Sequence, residues 1–117
     1  MWLYIFDSHK NVINVHEAQV DALINTYAPA RASYEFMQKG RKRTYHTTVA
    51  AEPGTVYHAT GHIKVWFEER DDARAGKLLT EARFEVLERL VVSYEKQLDR
   101  TRKRLADIHE HGLEVVE

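Results

Sequence analysis

The chain has 117 residues, with 44% hydrophobic and 30% charged side chains, no cysteine and two prolines. That length supports one domain with one modest core; mean hydropathy is −0.53, yet two Trp, six Tyr and four Phe supply enough aromatic mass to fold. The lack of cysteine excludes a disulfide scaffold, thiolate chemistry and every cysteine-containing zinc site.

The first six residues, Met1-Trp2-Leu3-Tyr4-Ile5-Phe6, are apolar on both alternating sets, as a central strand covered on two sides requires. They lack the basic flank and the length of a signal peptide. No apolar run approaches the roughly 18 residues of a membrane span, so the expectation is a cytoplasmic protein without a membrane partner. Asp7-Ser8-His9-Lys10-Asn11 is turn chemistry, and Val12 to Val15 reads as a second strand. From His16 to Tyr27, Val20, Leu23, Ile24 and Tyr27 fall at helical spacing, which predicts a short helix ending near Pro29. Ser33 to Gln38 and Arg43 to Ala51 form the arms of a hairpin around Lys39-Gly40-Arg41-Lys42; the second arm is rich in β-branched and aromatic residues. Pro53-Gly54 marks a turn. Val56 to Thr60 and His62 to Glu68 follow as strands, with Ile63, Val65 and Phe67 on one face.

Asp71 or Asp72 then caps a helix that meets no proline before His111, and Gly112 stops it. About 40 residues at 1.5 Å each make about 60 Å, against a domain diameter of roughly 35 Å for a chain of this size. The distal end is therefore expected to project. Leu78 to Tyr94 carry a wide apolar stripe suited to lying across a sheet. Phe84, Leu87, Val91, Tyr94, Leu98, Leu105 and Ile108, with Thr101 as one polar miss, step by three and four in a heptad register. That seam predicts a homodimer. The fold class is thus α+β, with an antiparallel sheet of about five or six strands, one short helix and one long C-terminal helix. The chain reads as a single domain over 1–117: sheet and short helix in 1–70, long helix in 71–111, tail in 112–117. The tail, Leu113-Glu114-Val115-Val116-Glu117, reads equally as an edge strand or as a loose end.

Formal net charge is −1, but it is segregated. Lys39, Arg41, Lys42 and Arg43 hold four positive charges in five residues; Lys96, Arg100, Arg102, Lys103 and Arg104 hold five more against Asp99 alone. The two clusters carry +8, so the rest of the chain carries −9. Glu68, Glu69, Asp71, Asp72, Glu81, Glu85 and Glu88 are the candidate acidic contacts.

Catalytic patterns are not found. His58 and His62 would sit about 13 Å apart on one strand, too far to share a metal, and His109 and His111 point to different faces of a helix. Ser8, Ser33 and Ser93 lack a nucleophile elbow, and five scattered glycines form neither a P-loop nor a dinucleotide fingerprint. No catalytic residue, metal or cofactor is therefore expected. A small sheet, the run Val65-Trp66-Phe67-Glu68-Glu69-Arg70-Asp71-Asp72 and one long charged terminal helix resemble the layout of many small proteins of phages and mobile elements. That resemblance implies a stoichiometric protein binder of a host machine, for instance an inhibitor that occludes a defence nuclease. The alternative reading is a dimeric nucleic-acid-binding regulator using Lys39, Arg41, Lys42, Arg43, Arg100, Arg102, Lys103 and Arg104.

Overall fold

The computed structural model describes residues 1–20, 30–59 and 62–116. Among them are six strands, β1 (Trp2–Asp7), β2 (Val12–Val20), β3 (Ala30–Gln38), β4 (Arg41–Val49), β5 (Tyr57–Ala59) and β6 (His62–Phe67), and one helix, α1 (Asp72–His111). The chain forms two compact units, Met1–Arg83 and Phe84–Glu117, called here the sheet unit and the helical unit. Both fold elements of the α+β reading are present, and no described helix is long and apolar enough to cross a membrane.

In the sheet unit the strands run antiparallel in the order β4-β3-β2-β1-β6-β5. β1 lies between β2 and β6 with Leu3, Tyr4, Ile5 and Phe6 all buried, which is why both of its alternating sets are apolar. Tyr4 and Phe6 share one face with Ile63, Val65 and Phe67 of β6, and Ala75, Leu79 and Ala82 of α1 cover that face. On the other face, Leu3 and Ile5 pack with Ala18, Ala30, Ala32, Val49 and Trp66. The sheet curls around this second core. The Trp66 indole Nε1 donates to the Ala50 carbonyl at 2.7 Å, and the Lys64 ammonium donates to Thr47 Oγ1 at 2.5 Å and the Thr48 carbonyl at 3.3 Å. These bonds hold β6 to the end of β4, four strands away in sheet order. Gly54, at φ 76°, turns the chain back so that its N–H bonds the Trp66 carbonyl; a Cβ there would crowd Arg74 and Phe67.

Two sequence expectations need correction. His16 to Val20 continue β2 rather than start a short helix, because Trp2 and Leu3 pair with Glu17 and His16, and Ala18 to Val20 pair with β3. The remainder of the expected helix, to Tyr27, lies outside the described residues. The α1 stripe that buries itself ends at Ala82, whereas Phe84, Leu87, Val91 and Tyr94 are exposed. A six-residue strand such as β1 or β6 is about 20 Å long, the length of about 13 helical residues, which matches the span over which α1 buries Ala75, Leu79 and Ala82 in the sheet unit.

The helical unit continues α1 unbroken to His111. Gly112, at φ 68°, closes the last turn by donating its N–H to the Ile108 carbonyl at 2.8 Å. Residues 112–116 form no regular element, and Leu113, Val115 and Val116 are exposed.

Candidate functional site

Strand alternation decides where the first basic cluster goes. Lys39 and Gly40 alone make the hairpin loop, both at positive φ (52° and 75°), the type I′ geometry that matches strand twist. Arg41, Lys42 and Arg43 thus belong to β4 rather than to the loop, and they divide between its faces. Lys42 pairs with Glu35 at 2.7 Å. Arg41 and Arg43 stand opposite Gln38 and Phe36, on the face that also carries Tyr34, Tyr45 and His16.

That face holds a row of rings. His16 stacks on Tyr34 with centroids 4.2 Å apart and planes at 21°. Tyr34 stacks on Tyr45 at 5.9 Å and 15°, and Tyr45 meets Phe36 at 4.4 Å. Tyr34 is anchored against the second core, while Tyr45 is 50% exposed. Burial holds the His16 imidazole below its ordinary pKa, which favours the neutral ring over the cation. Burial, then the neighbouring Tyr45, pushes the Tyr34 phenol up. Among the described residues, no carboxylate lies within ion-pair distance of Lys39, Arg41 or Arg43.

The candidate acids divide by role. Asp71 caps α1, its carboxylate accepting the Arg74 N–H at 3.1 Å. Asp72 accepts the Tyr4 hydroxyl at 2.6 Å and the Arg70 guanidinium at 3.0 and 3.2 Å; Arg70, then Tyr4, hold its carboxyl below the ordinary range. Tyr4 in turn accepts the Asp71 N–H at 3.1 Å, and its phenol is pushed up, first by burial and then by its bond to Asp72. Asp71 and Asp72 are therefore engaged in tying the start of α1 to β1. Glu68 and Glu69 are exposed beside Pro53, Arg70 and Arg74 in an open cleft of about 420 Å³. Glu81, Glu85 and Glu88 are exposed on α1.

In the helical unit, the seam residues Phe84, Leu87, Val91, Tyr94, Leu98, Leu105 and Ile108 are all exposed. Thr101 donates its hydroxyl to the Gln97 carbonyl at 2.8 Å. Arg100, Arg102, Lys103 and Arg104 are exposed, Lys103 pairing with Asp99 at 3.0 Å. The Ala59–His62 pairing puts His58 and His62 on opposite faces of the β5–β6 hairpin. Among the described residues no group of three or more His, Asp or Glu is placed to hold a metal ion.

The residues that sequence reasoning missed are Tyr4, Lys64, Trp66 and His16. The available signal was Lys64, a lone charge inside Ile63-Lys64-Val65-Trp66-Phe67, where a buried ammonium has to find acceptors. No protein-family model, curated protein or solved structure matches this chain.

Proposed function

We propose that the chain is a non-catalytic binding protein that acts by stoichiometric protein–protein contact and pairs with a second copy of itself through α1. The observation that carries this reading is the apolar surface of the helical unit: Phe84, Leu87, Leu90, Val91, Val92, Tyr94, Leu98, Leu105 and Ile108 are each 40–62% exposed. An apolar stripe of this kind, interrupted at Thr101, marks an interaction surface, and a helix gains most of its stability by packing such a face. In heptad terms Phe84, Val91, Leu98 and Leu105 are a positions, and Leu87, Tyr94, Thr101 and Ile108 are d positions. Thr101 fits the seam because its hydroxyl is already satisfied within its own helix, leaving its methyl group for a partner.

Charge favours one orientation. Glu85, Glu88 and Glu95 precede Lys96, Arg100, Arg102, Lys103 and Arg104 along α1. Antiparallel pairing sets the acidic stretch of one helix beside the basic stretch of the other, whereas parallel pairing sets like beside like. Glu68, Glu69 and Glu81, exposed in the sheet unit, are the acids offered to a further protein. A host nucleic-acid-processing complex is the target class, since an acidic surface competes with nucleic acid for a basic channel.

Sedimentation equilibrium tests the pairing. A concentration-dependent dimer that Leu98→Glu converts to monomer is expected; a wild-type monomer at every concentration overturns it. Because the chain has no cysteine, orientation can be read by oxidation. The double variant Tyr94→Cys/Leu98→Cys is expected to cross-link between copies, while Leu98→Cys alone, which bridges only a parallel pair, stays monomeric on a denaturing gel. For the further partner, charge reversal at Glu68, Glu69 and Glu81 is expected to abolish its binding; full retention overturns that part of the reading.

A further inference from the structure

We infer that the ring-bearing face of β2, β3 and β4 is a binding site for single-stranded nucleic acid, with unpaired bases stacking on Tyr45 and Phe36 and the backbone phosphates meeting Arg41 and Arg43. This inference does not depend on pairing through α1. It rests on three things that meet on one face.

The first is a half-exposed ring with its orientation already set. Tyr45 is backed by Tyr34, and Tyr34 by His16 and the second core, so little side-chain freedom remains to be lost when a base lands on it. The second is charge. Arg41 and Arg43 lie two residues apart on the same strand face, about 7 Å, and no described carboxylate pairs with either. Lys42, on the opposite face, is neutralised by Glu35, which leaves the arginines of the ring face as the unpaired cations of β4. The third is direct apposition. Arg43 stands across the ladder from Phe36, and Arg41 and Arg43 continue along β4 from Tyr45 toward the turn, so the cations begin where the ring row ends, an arrangement that lets a strand stack its bases while its backbone is neutralised.

These features select the ligand. Aromatic rings stack only on bases that are not already stacked on both sides within a duplex. An acidic peptide would satisfy the arginines but leave the Tyr45 and Phe36 ring faces without flat partners. The second basic cluster, Arg100 to Arg104, has no Phe, Tyr or Trp from Glu95 to the end of the chain. It can add salt-dependent attraction but not stacking.

The experiment uses the full chain and fluorescence anisotropy of labelled 12-nucleotide single strands (oligo-dT and oligo-U), the 12-base-pair duplex and a poly-glutamate peptide, at 50 and 200 mM salt. The single strands are expected to bind at least tenfold more tightly than the duplex or the peptide. Tyr45→Ala is expected to weaken single-strand binding about tenfold, while Tyr45→Phe keeps it. Arg41→Gln with Arg43→Gln is expected to reduce the slope of log affinity against log salt by about 1.4, at about 0.7 per phosphate contact. Tyr45 is half exposed, so its loss leaves the fold in place, which a matching thermal melt verifies. Equal binding of single strand and duplex, or full retention in Tyr45→Ala, overturns the stacking site, as does no binding at 50 mM salt. Preference for poly-glutamate overturns it in favour of a protein ligand.

Discussion

The two stretches of α1 are a controlled comparison within one helix. In the sheet unit the side chains that α1 buries are Ala75, Leu79 and Ala82, two of them small. In the helical unit its seam positions are Phe84, Leu87, Val91, Tyr94, Leu98, Leu105 and Ile108, all large and all exposed. Side-chain size sets how closely a helix can approach what it packs on. Alanines let α1 sit against a sheet face already filled by Tyr4, Phe6 and Phe67. The large residues need a surface with hollows of its own, such as a second helix offers to knobs. Composition therefore distinguishes the stretch of α1 that completes the sheet unit's core from the stretch whose large apolar side chains stay exposed.

The sharpest way to break this comparison is to truncate one leucine in each stretch. Leu79→Ala empties a fully buried site and is expected to cost about 2–5 kcal/mol in urea unfolding. Leu98→Ala is expected to leave the unfolding of dilute protein within about 0.5 kcal/mol of wild type while weakening self-association in sedimentation. Equal effects on dilute protein would remove the distinction. Tyr4→Phe comes next, at about 1–3 kcal/mol, because the Asp71 N–H and the Asp72 carboxylate both lose the buried hydroxyl. Asp71→Ala removes the cap alone and is expected to cost about 1 kcal/mol. The acid limb of stability is expected to depend on Asp72. Its pKa is lowered in the folded state by Arg70 and Tyr4, so its contribution is present above the unfolded carboxylate pKa and is lost as pH falls below about 4. Asp72→Asn should flatten a urea series taken from pH 5 to pH 2. The smallest effect concerns Lys64, whose pKa is lowered by burial. The unfolded chain then holds that proton to higher pH than the folded one, so wild type should gain stability relative to Lys64→Met as pH approaches 10.

Much of this architecture was legible in the sequence, for reasons particular residues make clear. β1 announced itself by having no polar face, and α1 by a cap at Asp71 or Asp72, its freedom from proline and the stop at Gly112; the Arg74 N–H bond settles the cap on Asp71. The Val12–Val20 strand was harder. Val20 belongs as well to a helical series with Leu23, Ile24 and Tyr27, and only its pairing with β1 and β3 decides for the strand. The ring row was legible in part, since Tyr34, Phe36 and Tyr45 were visible on the two hairpin arms. His16 joins them through a strand pairing that no local pattern contains. The division of Arg41 and Arg43 from Lys42 depended on the loop being two residues long, and a one-residue difference would have exchanged the faces. The reach of Tyr4 to Asp72, 68 residues away, is a tertiary fact without a local trace.

The order β4-β3-β2-β1-β6-β5 leaves β4 at one margin of the sheet and β5 at the other. Such margins offer unpaired backbone groups to any passing strand, and they seed fibrils when they are long and uncharged. β5 is three residues long, too short to template much. β4 is nine residues long, and it opens with Arg41-Lys42-Arg43. Two such ribbons meeting edge to edge with their turns together would bring the Arg41 and Arg43 of each, four like charges without a described carboxylate partner, into one place. Arg41 and Arg43 therefore oppose edge-to-edge assembly, and a variant that neutralised both would be expected to aggregate before it unfolds.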